Sequence, residues 1–331
     1  MKHVLVVGGG SIGERHVRCF LQTGRAKVSL CEVRDEIRER LASSYDLQAV
    51  YDNLDIGMGF SFDAAVICTP ANLHISMALQ LAKRGIHVLI EKPLSVSLSG
   101  IDELIAVRES DSVVVGVAYT FRHHPAMRAL KQAIDSGEFG KPLQVVGVSG
   151  QHFPFYRPAY RETYYAQHQT GGGAIQDALT HMINAAEWLV GPITRLVADA
   201  EHCALADVTV EDTAHILSRH DLVLGSFSLN QHQMPQETHI TVVCEHGTLR
   251  TDMVSSQFQV SREPGNPWET VSSFELERDD LFVAQAAAFL DAVDEQTEPA
   301  CGLEDGIQTL KTNLAALRSV ALKQWVNVID D

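Results

Sequence analysis

The sequence predicts an α/β chain in two parts: an amino-terminal doubly wound parallel sheet, then a carboxyl-terminal α+β domain with a large, mainly antiparallel open sheet. Three observations predict it. Up to Val117, short apolar runs alternate with helical stretches, as in successive βαβ units. A glycine cluster follows the first apolar run directly. Beyond residue 120 the rhythm changes to alternating strands joined by short polar turns. A chain of 331 residues has room for two cores, and the change of rhythm sets domains of 1–120 and 121–331.

Composition narrows the class. Hydrophobic residues at 45% and charged residues at 21% fit a globular chain and neither a disordered nor a membrane one. A net charge of -16 repels phosphate backbones and anionic lipid, which argues against nucleic acid or a membrane surface as partner. The six cysteines lack CxxC spacing, so reduced thiols and a cytoplasmic setting are expected. Met1-Lys2-His3 followed by VLVV imitates the opening of a signal peptide, but the apolar run stops at Gly8 without a small-residue cleavage site. No segment approaches the length of a membrane span.

The first run, Val4 to Val7, reads as a buried parallel strand and leads into Gly8-Gly9-Gly10-Ser11-Ile12-Gly13. Gly8, Gly10 and Gly13 make GxGxxG, weak alone but here set between a strand and a helix from about Ile12 to Thr23. Gly8 permits the tight turn, Gly10 lets a pyrophosphate approach the backbone, and Gly13 lets helix and strand pack closely. Ser11 and Ile12 open the helix, whose free N–H groups and dipole attract an anion. A second strand, Lys27 to Cys31, ends in Glu32, placed to hold an adenosine ribose. Glu32 would clash with a 2′-phosphate, so NAD is favoured over NADP. Arg34 either pairs with such a phosphate or joins the charged solvent face of the next helix.

Further strands are expected at Leu47 to Tyr51, Ala64 to Cys68, His87 to Ile90 and Val113 to Val117, with helices at 72–84 and 96–109. Thr69 and Pro70 stand at a strand's carboxyl end and border the cofactor or form a stiff loop. Asn72 is expected to cap the following helix, with His74 in its first turn facing cofactor or solvent. In the stretch HVLIEKP, Glu91 and Lys92 end the fifth strand where Pro93 forbids the ladder to continue. That edge is where open α/β sheets bind ligands. Lys92 is thus either a solvated terminator or a functional group.

In the second half a helix is expected at 125–135, strands at 143–150, 196–200, 213–218, 222–229, 240–244 and 248–252, and closing helices at 281–294 and 303–323. Gly171-Gly172-Gly173 opens another helix to about Val190, on which Asp177, His181, Asn184 and Trp188 share one stripe at i, i+4, i+7 and i+11. Such an Asp and His pair reads as a surface ion pair or as acid and base. Two ligands without an HExxH or cysteine set do not make a metal site, so none is expected. Nor is there a GxSxG elbow. The segment FPFYRPAYRETYYAQHQ, residues 153–169, offers Tyr164 and other aromatics for stacking a sugar ring, and Arg157 or Arg161 for a carboxylate or phosphate. Packing of an oligomer face is the other reading.

Taken together, the fingerprint with His16 after it, TPANLH at 69–74, EKP at 91–93, FRHHP at 121–125, GGG at 171–173 and Asp177 with His181 resemble the Gfo/Idh/MocA oxidoreductases. This family includes glucose-fructose oxidoreductase and inositol dehydrogenase. The resemblance covers nearly the whole chain. It implies a Rossmann domain, a cis Lys92 to Pro93 peptide, and Lys92, Asp177 and His181 as a catalytic trio. Arg122 of the FRHHP motif joins Arg157, Arg161 and Tyr164 as a candidate substrate contact. Asn184 departs from the pattern, since relatives often carry an acid there. The expected activity is an NAD-dependent dehydrogenase or reductase acting on CH–OH groups of a sugar, sugar acid, sugar nucleotide or inositol, in a homo-oligomer, dimer or tetramer. His181 is cast as acid/base and Lys92 as the cation at the reacting oxygen, although the two can exchange roles. The competing readings are a non-catalytic dinucleotide-sensing regulator on the same fold and an NAD-assisted glycosidase.

Overall fold

Apolar side chains at consecutive positions suit strands covered on both faces, and Val4 to Val7 are all buried. A computed structural model describes residues 1–57 and 59–328, without the side chain of Ile56. The chain divides into two compact units, one of Met1–Thr120 with Glu277–Ile307, the other of Phe121–Leu276 with the residues from Gln308 on. Segment 277–307, assigned to the second domain from sequence, therefore belongs to the first unit. Its helix Asp280–Glu295 places Ala286, Phe289 and Leu290 in the same core as Val4, Val6, Val17 and Phe20.

In the first unit β1 (Lys2–Val7), β2 (Ala26–Cys31), β3 (Val50–Tyr51), β4 (Ala64–Ile67), β5 (His87–Ile90) and β6 (Val115–Val117) form a parallel sheet in the order β3-β2-β1-β4-β5-β6. The order reverses between β1 and β4, and ligands of such sheets bind outside the strand ends at that point. Gly8, Glu32, Thr69 and Lys92 follow the carboxyl ends of β1, β2, β4 and β5.

Two local expectations are corrected. The helix expected at 96–109 is Ile101–Asp111, because Ser95 and Ser97 accept hydrogen bonds from the backbone N–H groups two residues on and Gly100 adopts φ 79°. Asn72 caps nothing: Ala71–Leu73 is a 3₁₀ turn, and the α-helix His74–Ala82 begins after it without a side-chain cap.

The second unit holds a nine-stranded sheet. Its strands are β7 (Pro142–His152), β8 (Arg195–Glu201), β9 (Thr213–His220), β10 (Val223–Asn230), β11 (His232–Cys244), β12 (Gly247–Asp252), β13 (Gln257–Ser261), β14 (Glu269–Ser273) and β15 (Val326–Asn327). They run in the order β14-β13-β12-β11-β7-β10-β9-β8-β15, and every pairing is antiparallel except β7 with β10. The helices Pro125–Asp135 and Thr180–Val190 supply Met127, Leu130, Met182, Ile183 and Leu189 to the core on one face, against Ile216, Phe227 and Ile240. On β9 and β10 the alternate residues Leu217 and Leu224 are exposed. Strands β13, β14 and β15 escaped the sequence reading, being rich in Gln, Ser, Thr and Glu or only two residues long.

Candidate functional site

In the first unit the glycine turn is built by exclusion of side chains. Gly8 has φ 96°, and a Cβ there would lie 2.9 Å from the Cys68 carbonyl oxygen. A Cβ on Gly13 would lie 1.8 Å from the Gly8 oxygen, so helix and strand approach at a distance only glycine allows. Gly10 faces open space but for the Arg34 guanidinium at 3.9 Å. It precedes the helix Ser11–Gln22 without any side-chain cap, which leaves the leading N–H groups for an anion. This cradle fits a dinucleotide.

Glu32 is 4% exposed and accepts from the Gly9 N–H at 2.6 Å and from the Arg34 N–H and Nε at 2.9 Å each. Burial opposes its ionisation, but these hydrogen bonds and the Arg34 charge outweigh burial and hold the carboxyl below its ordinary range. Arg34 thus binds Glu32 while its side chain stays largely exposed.

The Lys92–Pro93 peptide is cis. Beneath it, buried Glu91 pairs with His16 Nε2 at 2.7 Å and accepts from the Lys92 N–H at 3.0 Å. Burial pushes the Glu91 carboxyl up, but the His16 hydrogen bond and charge, with Lys92, overcome this and lower its pKa. His74 does not face solvent. Its ring is 1% exposed, with Nε2 2.8 Å from the Thr69 oxygen and Nδ1 3.0 Å from the Pro93 oxygen. It would donate to both only as an imidazolium. Burial is the larger influence and lowers its pKa, so the ring is neutral and donates to one carbonyl at a time. His74 ties the ends of two loops together. Pro70 and Asn72 are exposed, and the Thr69 hydroxyl meets Met77 Sδ at 3.5 Å.

In the second unit the expected regular helix opens instead with a π-helical turn, Ile175–Leu179, before Thr180–Val190. Such turns recur at functional sites because they rotate side chains out of α-helical phase. Asp177 lies on this turn, 8% exposed, and accepts the Tyr164 hydroxyl proton at 2.7 Å. His181 stacks on Phe121 with ring centroids 5.1 Å apart. Asn184 turns inward: it accepts from Arg122 Nε and donates to Thr309 Oγ1, both at 3.0 Å. Arg122 is itself buried and lies over the Trp188 ring. The chain of bonds continues to Glu187, which accepts from Thr309 and Thr312 at 2.7 Å each.

The aromatic segment builds a small core of its own, a use that neither sequence reading included. Phe153, Tyr160 and Tyr165 form a small core with Leu205, Val208 and Val210. Phe155, Tyr156, Tyr164 and Arg157 remain exposed. Arg161 is drawn to Tyr160 and to Asp207, 3.3 Å away. Sequence reasoning missed two members of this half, Glu211 and His168. Glu211 accepts from the Ile175 N–H at 2.9 Å across 36 residues, a separation that leaves no local signal.

The decisive comparison covers both halves. A family model described as "Oxidoreductase family, NAD-binding Rossmann fold" matches residues 2–119, and one for the GFO/IDH/MocA C-terminal domain matches 127–250. The chain belongs to the Gfo/Idh/MocA oxidoreductases. Among relatives of this family, it is 26% identical to a 1,5-anhydro-D-fructose reductase of Ensifer adhaerens, with 80% of each chain covered. It is 25% identical to the myo-inositol 2-dehydrogenase of Thermotoga maritima, over 98% of this chain and 97% of that one. Its fold matches a levoglucosan dehydrogenase in complex with NADH at TM-score 0.91, with 20% identity and complete coverage of both chains. It also matches the WlbA dehydrogenase from Bordetella pertussis in complex with NADH and UDP-GlcNAcA at TM-score 0.85, with 23% identity over 100% and 99% of the two chains. As a Gfo/Idh/MocA protein it is an NAD-binding oxidoreductase.

Proposed function

We propose that this protein is an NAD-dependent dehydrogenase or reductase of a sugar, sugar acid, sugar nucleotide or inositol, in which Lys92, Asp177 and His181 handle the reacting CH–OH group. The observation that carries the reading lies within the first unit: one sheet edge presents a dinucleotide cradle, a buried ribose-type carboxylate and Lys92, whose backbone N–H is bonded to the Glu91 carboxylate. The names of the relatives, acting on anhydrofructose and inositol, support a polyhydroxylated substrate.

Gly8, Gly10, Ser11, Ile12 and Gly13 would hold the diphosphate and Glu32 the adenosine ribose. Bound NAD supplies a hydride acceptor or donor. Taking a hydride from a carbinol carbon requires removal of its hydroxyl proton, which falls to the imidazole of His181. Lys92 supplies a positive charge to the oxygen as it becomes negative. Asp177, already bonded to Tyr164, orients His181 or a neighbouring hydroxyl. Arg157 and Tyr164, both exposed, are the contacts proposed for the rest of the substrate; Arg122 and Arg161 are already engaged with Asn184 and Asp207 and are the lesser candidates. The protein acts in the cytoplasm as a homo-oligomer, with the open face of the second unit's sheet as the surface of association.

A panel of sugars and polyols with NAD or NADP, followed by absorbance of the reduced cofactor, tests the reading. Wild type should turn over at least one, and Lys92→Ala and His181→Ala should each lose about a hundredfold or more in kcat. Cofactor binding without any turnover, or full rates in both variants, refutes it. Glycoside cleavage without net NADH would indicate the glycosidase instead.

A further inference from the structure

Asp177 sits on a turn that α-helical hydrogen bonding alone does not define, so something outside the helix must fix where it starts. The Glu211 backbone oxygen accepts from the Ala174 N–H at 2.9 Å, and its Oε1 accepts from the Ile175 N–H at 2.9 Å. The first two N–H groups of the helix are thus satisfied by one residue. Its other oxygen, Oε2, lies 2.5 Å from His168 Nε2. Glu211 is 7% exposed, and its carboxylate occupies the space of a Gly173 side chain: a Cβ there would meet the two oxygens at 2.6 and 2.7 Å.

The same residue governs the aromatic segment. Gln176 donates to the His168 and Gly172 carbonyls, and a Cβ on Gly172 would stand 2.1 Å from the Tyr165 oxygen. The segment therefore lies flat against the start of the helix, and four residues before His168 stands Tyr164, with its hydroxyl on Asp177. Both arms of this loop of contacts return to Glu211.

We propose that Glu211 is the positioning residue for the substrate half of the site, fixing the π-helical turn that carries Asp177 and, through His168, the segment that carries Tyr164. Its role rests on the reading of Asp177 as a site residue. The carboxylate acts at a distance, through the two ends of the Tyr164–Asp177 contact. Its net effect is set among the neighbouring charged groups: Asp212 beside it, bonded to the N–H groups of Cys203, Ala204 and Leu205, Asp177 on the helix, and His168 on the segment. The His168 hydrogen bond to Glu211 raises the imidazole pKa against burial, which favours the ion pair.

Amide hydrogen exchange on the full chain, with NADH titration alongside, tests this without a known substrate. In Glu211→Ala, which keeps the backbone oxygen bonded to Ala174, protection at residues 175–177 and 164–168 should fall about tenfold or more, while strands β9 and β10 and NADH affinity stay within about twofold of wild type. Gly173→Ala, which drives the carboxylate from the helix start, should reproduce that pattern. Glu211→Gln keeps an acceptor for the Ile175 N–H and should restore protection at 175–177 while leaving 164–168 exposed. Unchanged protection in Glu211→Ala, or a loss spread evenly over the second unit, overturns the proposal. With any substrate found in the panel, Glu211→Ala should lower kcat at unchanged NADH affinity. Absence of turnover by wild type would refute the dehydrogenase reading and leave the exchange comparison decisive for Glu211.

Discussion

Replacing Gly13 by alanine tests the closest approach in the nucleotide cradle. The new Cβ would lie 1.8 Å from the Gly8 oxygen and 2.9 Å from its carbonyl carbon. Ordinary contact requires about twice the shorter distance, so the helix Ser11–Gln22 and the end of β1 would have to part by roughly 1.5 Å. Both partners are backbone, and no rotamer change relieves them. Overpacking of this kind costs about 1–3 kcal/mol, and an immobile neighbour places it at the upper end. At that size the melting temperature should fall by roughly 6–12 °C. The same displacement moves the Ser11 and Ile12 N–H groups from their anion, so NADH affinity should drop about a hundredfold, equivalent to ~2.7 kcal/mol. Calorimetry and NADH fluorescence titration read both effects. A variant melting within about 1 °C of wild type and binding NADH equally well would refute the argument from close approach.

Glu187 gives a pH prediction of definite sign. Burial raises its carboxyl pKa in the fold, against the donors Gln308, Thr309 and Thr312, so its stabilising contribution is complete below the ordinary Glu range and lost as pH rises through the folded value. Glu187→Gln should therefore raise stability to urea at neutral pH, with the gain shrinking toward acid; an unchanged or lower midpoint at neutral pH would sink this account. Arg34→Ala should free Glu32 for ribose hydroxyls and remove a cation near a 2′-phosphate, raising the NADPH-to-NADH ratio of dissociation constants about threefold. Equal ratios in titrations of the two proteins would contradict it. Tyr164→Phe removes one hydroxyl bond to Asp177 on an exposed side chain, and should lower kcat about fivefold, or ~1 kcal/mol, with NADH affinity unchanged. A steady-state rate equal to wild type would show that the contact does not matter to turnover.

The nucleotide unit was legible because its signals are local. Apolar runs at Val4 to Val7 and His87 to Ile90, glycines at fixed offsets and Glu32 after the next strand each carry their meaning within about thirty residues. The burial of His74 was not legible, because a histidine in a first helical turn next to a ligand edge has no sequence mark of the two carbonyls beside its ring. On the substrate side the i, i+4 spacing of Asp177 and His181 was visible, but the π-helical turn between them was not, since it depends on Glu211 arriving from far along the chain. The setting of Arg122 against Asn184 and Trp188, more than sixty residues on, has no local mark. Strand β14 lacks the alternation that marks a half-buried strand, and β13 alternates over only five residues, with Phe258 and Val260 as its two apolar positions, so both are easily passed over.

The first unit's dependence on Glu277–Ile307 has a consequence for how this protein comes into being. When the ribosome has released residue 120, the core of the parallel sheet still lacks Ala286, Phe289 and Leu290, each later buried to 2% exposure or less. Full burial of a side chain such as Phe or Leu contributes about 1.5–3 kcal/mol, a large part of the stability of an ordinary domain. The nascent cradle must therefore wait, partly uncovered, until the whole second unit has been synthesised. A fragment ending at residue 120 should be poorly soluble, whereas the same fragment joined through a short linker to residues 277–307 should fold and bind NADH.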